Sequence, residues 1–460
     1  MKEISKYLLK FINKELGSHL VQENNQIPQQ FIQNILSELQ IANDAWKNEH
    51  SHIKYIDIPN NTLPNFSGDL RSPLKLVVGG HSAPLPKDDS FDYISEEVRT
   101  VLETRKKMGR EYRFSINTQK IVLYLVYPFA PDDPIQSMSR AKIDSFFTDC
   151  LHKIYLWLHI ANKQKPLTCS QQLNIYIYFT ELFKILPEKK GEPIGEKHAN
   201  TAFTTSCMPS TNIYVYREEE WFKVFIHESF HCLGFDFSHS QVLSESSKKQ
   251  VLDIFPVISD VNLFETYCET FAEIVNVIFY VYLQNGNEVK RTEPHRGSKR
   301  FLDSFPRISF ADSEKNENLE KNIDKIERYM IYERVFSCFQ CAKVLHFYEL
   351  TYEDLYKKDI KSKQLRTKYN EDTNVLAYYI IKSIYMTHLP AFFHWFSIDN
   401  HNSFVFKETQ ENMNAYCNII RLYHSDPSFL KVIRDMESWL SAHDGENTLE
   451  TKTLRMTVIE

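Results

Sequence analysis

One segment limits the folds open to this chain more than any other: WFKVFIHESFHCLGFDFSH, residues 221–239. It is an apolar run that carries two imidazoles and a carboxylate, His227, Glu228 and His231. On a helix, positions i and i+4 lie on one face a turn apart, so His227 and His231 point the same way. The flanking WFKVFI and CLGF require burial, and buried polar groups require partners. Whatever packs on this face must supply them. The helix itself is predicted over 219–234: the acids of REEEW fall in its first turn, where the helix dipole favours negative charge, and Gly234 stands at its C-terminal stop.

His227-Glu228-Ser229-Phe230-His231 has the pattern H-E-x-x-H. Two imidazoles at this spacing can hold one Zn²⁺ at about 2.0–2.1 Å. Glu228, next to the first of them, can take a proton from an attacking water and pass it to a leaving amine. Zinc catalysis also needs a third protein ligand and an open position. The extended pattern H-E-x-x-H-x-x-G-x-x-H fails, because residue 237 is Phe; Asp236 stands one residue too early for an Asp variant and His239 two too late. A second helix, FETYCETFAEIVNVIF over 264–279, offers Glu265, Glu269 and Glu273, which step by four and form one stripe. Carboxylates among Cys268, Phe271, Ala272, Ile274 and Val275 are costly to bury unless a cation or strong donors meet them. Spacing alone does not choose among the three.

The rest of the chain divides around this helix. Residues 1–115 read as helical and loop-rich, with a Pro/Gly/Asn-rich linker over 56–90 and a helix over about 93–110. Residues 116–240 read as a mixed α/β lobe. YRFSIN and KIVLYLVYP pair as a hairpin, a helix covers 139–163, and LNIYIYFT, NTAFTTSC and NIYVY are strands. Residues 241–460 read as all-helical, with helices over about 262–285, 316–349, 374–396, 409–425 and 427–442. The expected class is α+β: a mixed lobe carrying the active helix, a helical lobe carrying the acid stripe, and an N-terminal helical extension.

Composition narrows the function. With 11 glycines the chain has no Gly-rich phosphate loop. The net charge is −6 and basic residues are scattered, which argues against nucleic acid; the locally basic segment 291–300 reads as a solvated loop. No run reaches the length of a membrane span, and the charged N-terminus is not a secretory signal. The eight cysteines sit mostly in apolar helical patterns and are expected to be free thiols in a reducing, cytoplasmic setting. The lone C-x-x-C, Cys338 and Cys341, reads as core thiols sharing a helix face.

These motifs resemble the gluzincins, zinc metallopeptidases with H-E-x-x-H on one helix and a Glu ligand on the next, within a zincin-like fold. ETFAE resembles their E-x-x-A-[DE] pattern, which implies that Glu269 is the third zinc ligand and that Glu273 braces a ligand histidine. The resemblance also implies an edge strand that pairs with the substrate backbone, with Asn200 and Ala202 in NTAFTTSC at its start. It further implies an oxyanion-stabilising group in the helical lobe, for which Tyr378, Tyr379, Tyr385 and His388 are candidates. Around YREEEWFKVFIHESFHCLGFDFS the chain also resembles zincin-like proteins of large cytoplasmic DNA viruses, which implies the host cytoplasm or a virion as its setting. The expected activity is a zinc-dependent endopeptidase or carboxypeptidase acting on a protein or peptide, with Glu228 as general base. Two rivals stand beside it: a non-catalytic virion or host-binding protein that keeps the fold as scaffold, and a metal hydrolase of non-peptide amides or esters.

Overall fold

The computed structural model describes residues 1–20, 27–58, 94–129, 140–291 and 310–460. Most of the linker expected over 56–90, and the basic segment after residue 291, lie outside the described residues. The chain is mixed α/β and built on one six-stranded sheet in the order β1-β2-β3-β4-β6-β5. Its strands are β1 (Tyr55–Ile58), β2 (Lys107–Ile116), β3 (Gln119–Pro128), β4 (Gln172–Tyr178), β5 (Ala202–Thr204) and β6 (Ser210–Val215). The β3–β4 and β4–β6 pairs are parallel and the others antiparallel.

The β2–β3 hairpin turns on Asn117 and Thr118, with Asn117 at a φ of 53°, a conformation Asn tolerates. The helix expected over 93–110 is shorter: it is α3 (Glu96–Thr104), because Lys107–Arg110 pair with Pro128–Leu125 as strand. The 115/116 boundary therefore falls within β2, and the larger of two hydrophobic clusters runs from Leu8 to Ile459.

One sheet face carries rings in register: Tyr124, Tyr176, Tyr214 and Phe203 stack across four strands at centroid spacings of 4.8, 4.7 and 4.7 Å, and Val98 and Leu102 of α3 pack on them. The other face builds the main core with α1 (Glu3–Glu15), α2 (Gln29–Glu49), α4 (Arg140–Ala161), the short α5 (Glu196–Ala199) and α6 (Trp221–Cys232). The alternation of the strands sets the two faces apart.

After α6 the chain is helical: α7 (Gln241–Ile254), α8 (Leu263–Arg291), α9 (Phe310–Phe347), α10 (Ile360–Leu365), a π-helical turn at Leu376–Ile381, α11 (Lys382–Thr387), α12 (Leu389–Ile398), α13 (Gln410–Tyr423), α14 (Pro427–Ala442) and α15 (Leu449–Lys452). Residues 454–459 then return through the core, all buried. Their backbone N–H groups donate to buried carboxylates: Met456 and Thr457 to Glu220, and Val458 and Ile459 to Glu333.

Two sequence expectations change here. Glu219 and Glu220 do not sit in the first turn of the active helix. Glu220 precedes it at a φ of 58°, buried and paired with Lys184, while Glu219 meets Arg455 at 3.5 Å. Tertiary cations, not the helix dipole, hold these acids. Cys169 and Cys207 form a disulfide, where free thiols were expected; the other six cysteines are free and buried. No helix of the described residues is long and apolar enough to cross a membrane.

Candidate metal centre

Every residue of α6 is buried, under β5 and β6 on one side and against α8 on the other. Phe230 fixes its rotation: the ring stacks on Phe271 of α8 at 5.7 Å and on Trp157 of α4 at 6.0 Å. The helix stops in a Schellman turn, with Phe235 N–H donating to Phe230 O at 2.9 Å and Gly234 N–H to His231 O at 3.1 Å. Gly234 has a φ of 71°, and a methyl group there would lie 2.6 Å from Cys169 Sγ, so only glycine fits. The turn reverses the chain and returns Asp236 to the helix end, where its Oδ2 accepts from His231 Nδ1 at 2.5 Å.

The two histidines point their other nitrogens at one place. His227 Nε2 and His231 Nε2 are 3.2 Å apart, and Glu265 Oε2, from the first turn of α8, lies 3.0 and 3.4 Å from them. A tetrahedral ion with bonds of about 2.0–2.1 Å would set ligand atoms about 3.3–3.4 Å apart. The observed triangle has that size. The far side of each ring is committed: His227 Nδ1 donates to Glu269 Oε2 at 3.0 Å, as His231 Nδ1 does to Asp236. Two neutral imidazoles so braced turn bare lone pairs toward each other and toward a carboxylate oxygen. Only a cation or extra protons can sit among three such acceptors. A zinc ion therefore fits these residues.

The titration behaviour has the same origin. Burial opposes charge on His227, yet the carboxylates of Glu265 and Glu269 outweigh it and hold the imidazole above its usual range. Burial works likewise against His231, and Cys268, Asp236 and Glu265 more than offset it. Burial would raise Glu265, but His231 and His227 hold it well below the carboxylate range. Glu228 goes the other way: burial pushes its carboxyl up against the pull of both imidazoles. His231, Asp236 and Cys268 form a second close group of metal-type side chains. Its histidine nitrogen already serves the Asp236 bond, so this group is the brace of the first.

The other predicted residues fall as follows. Glu269 is not in the ligand triangle. Its Oε1 lies 2.6 Å from Lys223 Nζ and its Oε2 on His227. Glu273 touches no histidine; it pairs with Lys382 at 2.5 Å. Tyr378 joins the centre from the π-helical turn, donating its hydroxyl to Glu265 Oε2 at 3.0 Å, with its ring 6.0 Å from that of His227. Burial first, and then the Glu265 and Glu228 carboxylates, hold its phenol protonated. Tyr379, the next residue, points away and donates to Leu454 O at 2.7 Å. Tyr385 donates to Tyr416 O, and His388 stacks on Tyr423 at 4.2 Å; neither reaches the histidines. Ala202 opens β5, which is an edge strand of the sheet, and Asn200 precedes it, accepting from Thr373 at 3.1 Å. Sequence reasoning missed the bracing role of Asp236 and the part played by Lys223. Lys223 was legible as a lone cation inside the apolar run, one turn before His227.

No protein-family model, curated protein or solved structure matches this chain.

Proposed function

We propose that the protein is a zinc-dependent hydrolase of peptide bonds, of gluzincin type, with His227, His231 and Glu265 as metal ligands. The observation that carries this reading is the triangle of Nε2, Nε2 and Oε2 at 3.2, 3.0 and 3.4 Å, with both Nδ1 atoms braced by carboxylates. Two imidazoles and a carboxylate are a donor set suited to catalytic zinc. The assignment moves the third ligand one turn, from Glu269 to Glu265, and gives Glu269 the bracing role that the resemblance had assigned to Glu273.

When bound, zinc supplies a Lewis acid that polarises the scissile carbonyl and acidifies a water. Glu228, whose carboxyl is raised by burial, accepts the proton of that water at its carboxylate and returns it to the leaving amine nitrogen. Tyr378, kept protonated, donates a hydrogen bond to the oxygen on which charge develops. The open edge of β5 takes an extended substrate backbone by strand addition. Six buried thiols support a cytoplasmic setting in this proposal. The Cys169–Cys207 bond favours an oxidising one, and alkylation of the protein at cell lysis decides between them.

The test is zinc content by mass spectrometry together with peptide-library cleavage. Glu265→Ala should lose stoichiometric zinc, and Glu269→Ala should retain it with weaker affinity. Glu228→Gln should retain zinc and lose cleavage. Full zinc in Glu265→Ala would refute the ligand set. Stoichiometric zinc in a wild type that cleaves nothing would favour the scaffold reading.

A further inference from the structure

Behind His227 lies an array of charges of which the proposed function uses only Glu269. Lys223 stands on α6 one turn before His227. Its Nζ lies 2.6 Å from Glu269 Oε1, and the other oxygen of that carboxylate accepts from His227 Nδ1 at 3.0 Å. Lys382, at the start of α11, approaches the same Oε1 to 3.7 Å. Its ammonium is held 2.5 Å from Glu273 Oε2 and 2.8 Å from Met456 O. The four side chains are 0–2% exposed.

Such an array is a poor way to gain stability. Buried ion pairs lose about as much in desolvation as they gain in attraction, and apolar replacements of similar volume are often as stable or more so. Lys223 is flanked by Phe222 and Val224, and its Nζ reaches Met456 Sδ at 3.9 Å, so an apolar side chain would suit the surroundings. What an apolar residue could not do is fix the Glu269 carboxylate. Held at Oε1 by Lys223, the group keeps Oε2 on His227 Nδ1, and that bond sets which imidazole nitrogen carries the proton and where Nε2 points.

We infer that Lys223, supported by Lys382, is a positioning residue of the metal centre, acting through Glu269 and His227 to set the affinity for zinc. This rests on the ligand set proposed above. Simple charge repulsion predicts the opposite sign, since removal of a nearby ammonium should tighten the binding of a cation. The carboxylate lies between Lys223 and His227, so the loss of orientation outweighs the loss of repulsion.

The experiment measures the zinc dissociation constant of the full chain by competition with a chromophoric chelator. Lys223→Met should weaken zinc about 10–100-fold, the size found when a group orienting a metal ligand is removed. Glu269→Gln should do the same, and the double variant should bind no more weakly than the poorer single, because both act along one line. Lys223→Gln, which can still donate to Glu269, serves as the second variant should the methionine not fold, with an intermediate loss. Lys343→Met is the structural control: that lysine is equally buried but donates to Glu450 O, away from the carboxylates of the centre. It should leave zinc affinity within about twofold whatever its effect on melting. Unchanged or tighter zinc in Lys223→Met, or independent losses in the double variant, would overturn the inference and leave the ligand set standing. A wild type that binds no zinc would overturn the ligand set, and the inference with it.

Discussion

Gly234→Ala tests how the fold fixes the proposed site, and its cost can be worked from the structure. Gly234 sits at a φ of 71°, where an L-residue pays about 1–2 kcal/mol. A Cβ would also lie 2.6 Å from Cys169 Sγ and 3.3 Å from Cys207 Cβ. Neither sulfur can swing away, since the disulfide ties Cys169 before β4 to Cys207 before β6. Forcing one extra carbon into a packed interior costs about 1–3 kcal/mol. The total is about 2–5 kcal/mol, measured as the shift in urea midpoint of the metal-free protein at constant slope. The two contributions separate in a cycle. In a Cys169→Ala/Cys207→Ala background the 2.6 Å clash with sulfur is gone and only the 3.3 Å approach to the Cβ at position 207 remains, so the same substitution should cost less, nearer about 1–2 kcal/mol. The turn also carries Asp236 to His231, so Gly234→Ala should weaken zinc about tenfold or more by disturbing that brace. A cost below about 1 kcal/mol in the wild-type background, or equal costs in both backgrounds, would refute the reasoning.

Two further predictions address single groups. Tyr378→Phe removes the phenol that donates to Glu265 at the proposed metal centre and should lower kcat about 10²–10³-fold, with zinc content and KM little changed; a kcat within threefold of wild type would remove Tyr378 from the proposed mechanism. His388 is half-buried, stacked on Tyr423, and pushed down to about 4, first by burial, so it stays neutral in the fold while the unfolded chain takes up a proton near 6.5. Stability should therefore fall as pH drops from about 6.5 to about 4, by up to about 3 kcal/mol from this group, and denaturation midpoints of His388→Phe should lack that part of the slope.

Much of the fold was legible because its signals are local. The hairpin of β2 and β3, the strands β4 and β6, and the helices α4, α6, α13 and α14 follow from residue periodicity and from Gly or Pro at their ends. The failures share a different cause. Glu219 and Glu220 read as first-turn acids because the helix dipole is a local effect; their real partners, Lys184 and Arg455, are 36 and 236 residues away in sequence. Cys169 and Cys207 read as separate thiols because the β-topology that joins residues 38 apart is not written in either neighbourhood. In the sequence Asp236 stands at the wrong spacing for a metal ligand. Spacing along a helix says nothing about a residue that returns after a chain reversal, and the Schellman turn at Gly234 is what brings it back.

The displacement of the proposed third ligand by one turn has the same kind of origin. On α6, Lys223, His227 and His231 step by four, and on α8 Glu265, Glu269 and Glu273 do too. The helices run past each other so that later residues of one meet earlier residues of the other: Lys223 meets Glu269, and His231 meets Glu265. A slide of one turn would set Lys223 on Glu273 and bring Glu269, in place of Glu265, to the two Nε2 atoms, and helix periodicity permits either register. What separates them is a cation on neither helix. Lys382 arrives from the segment that follows the π-helical turn and takes Glu273. With Glu273 occupied, Lys223 holds Glu269, and Glu265 is the acid left facing both Nε2 atoms. In sequence Lys382 lies in an aromatic-rich stretch that reads as core, and it is core, at 1% exposure. The proposed ligand was undecidable from the two helices because a third element, which buries a charge where only apolar packing was expected, decides which acid is left to face the histidines.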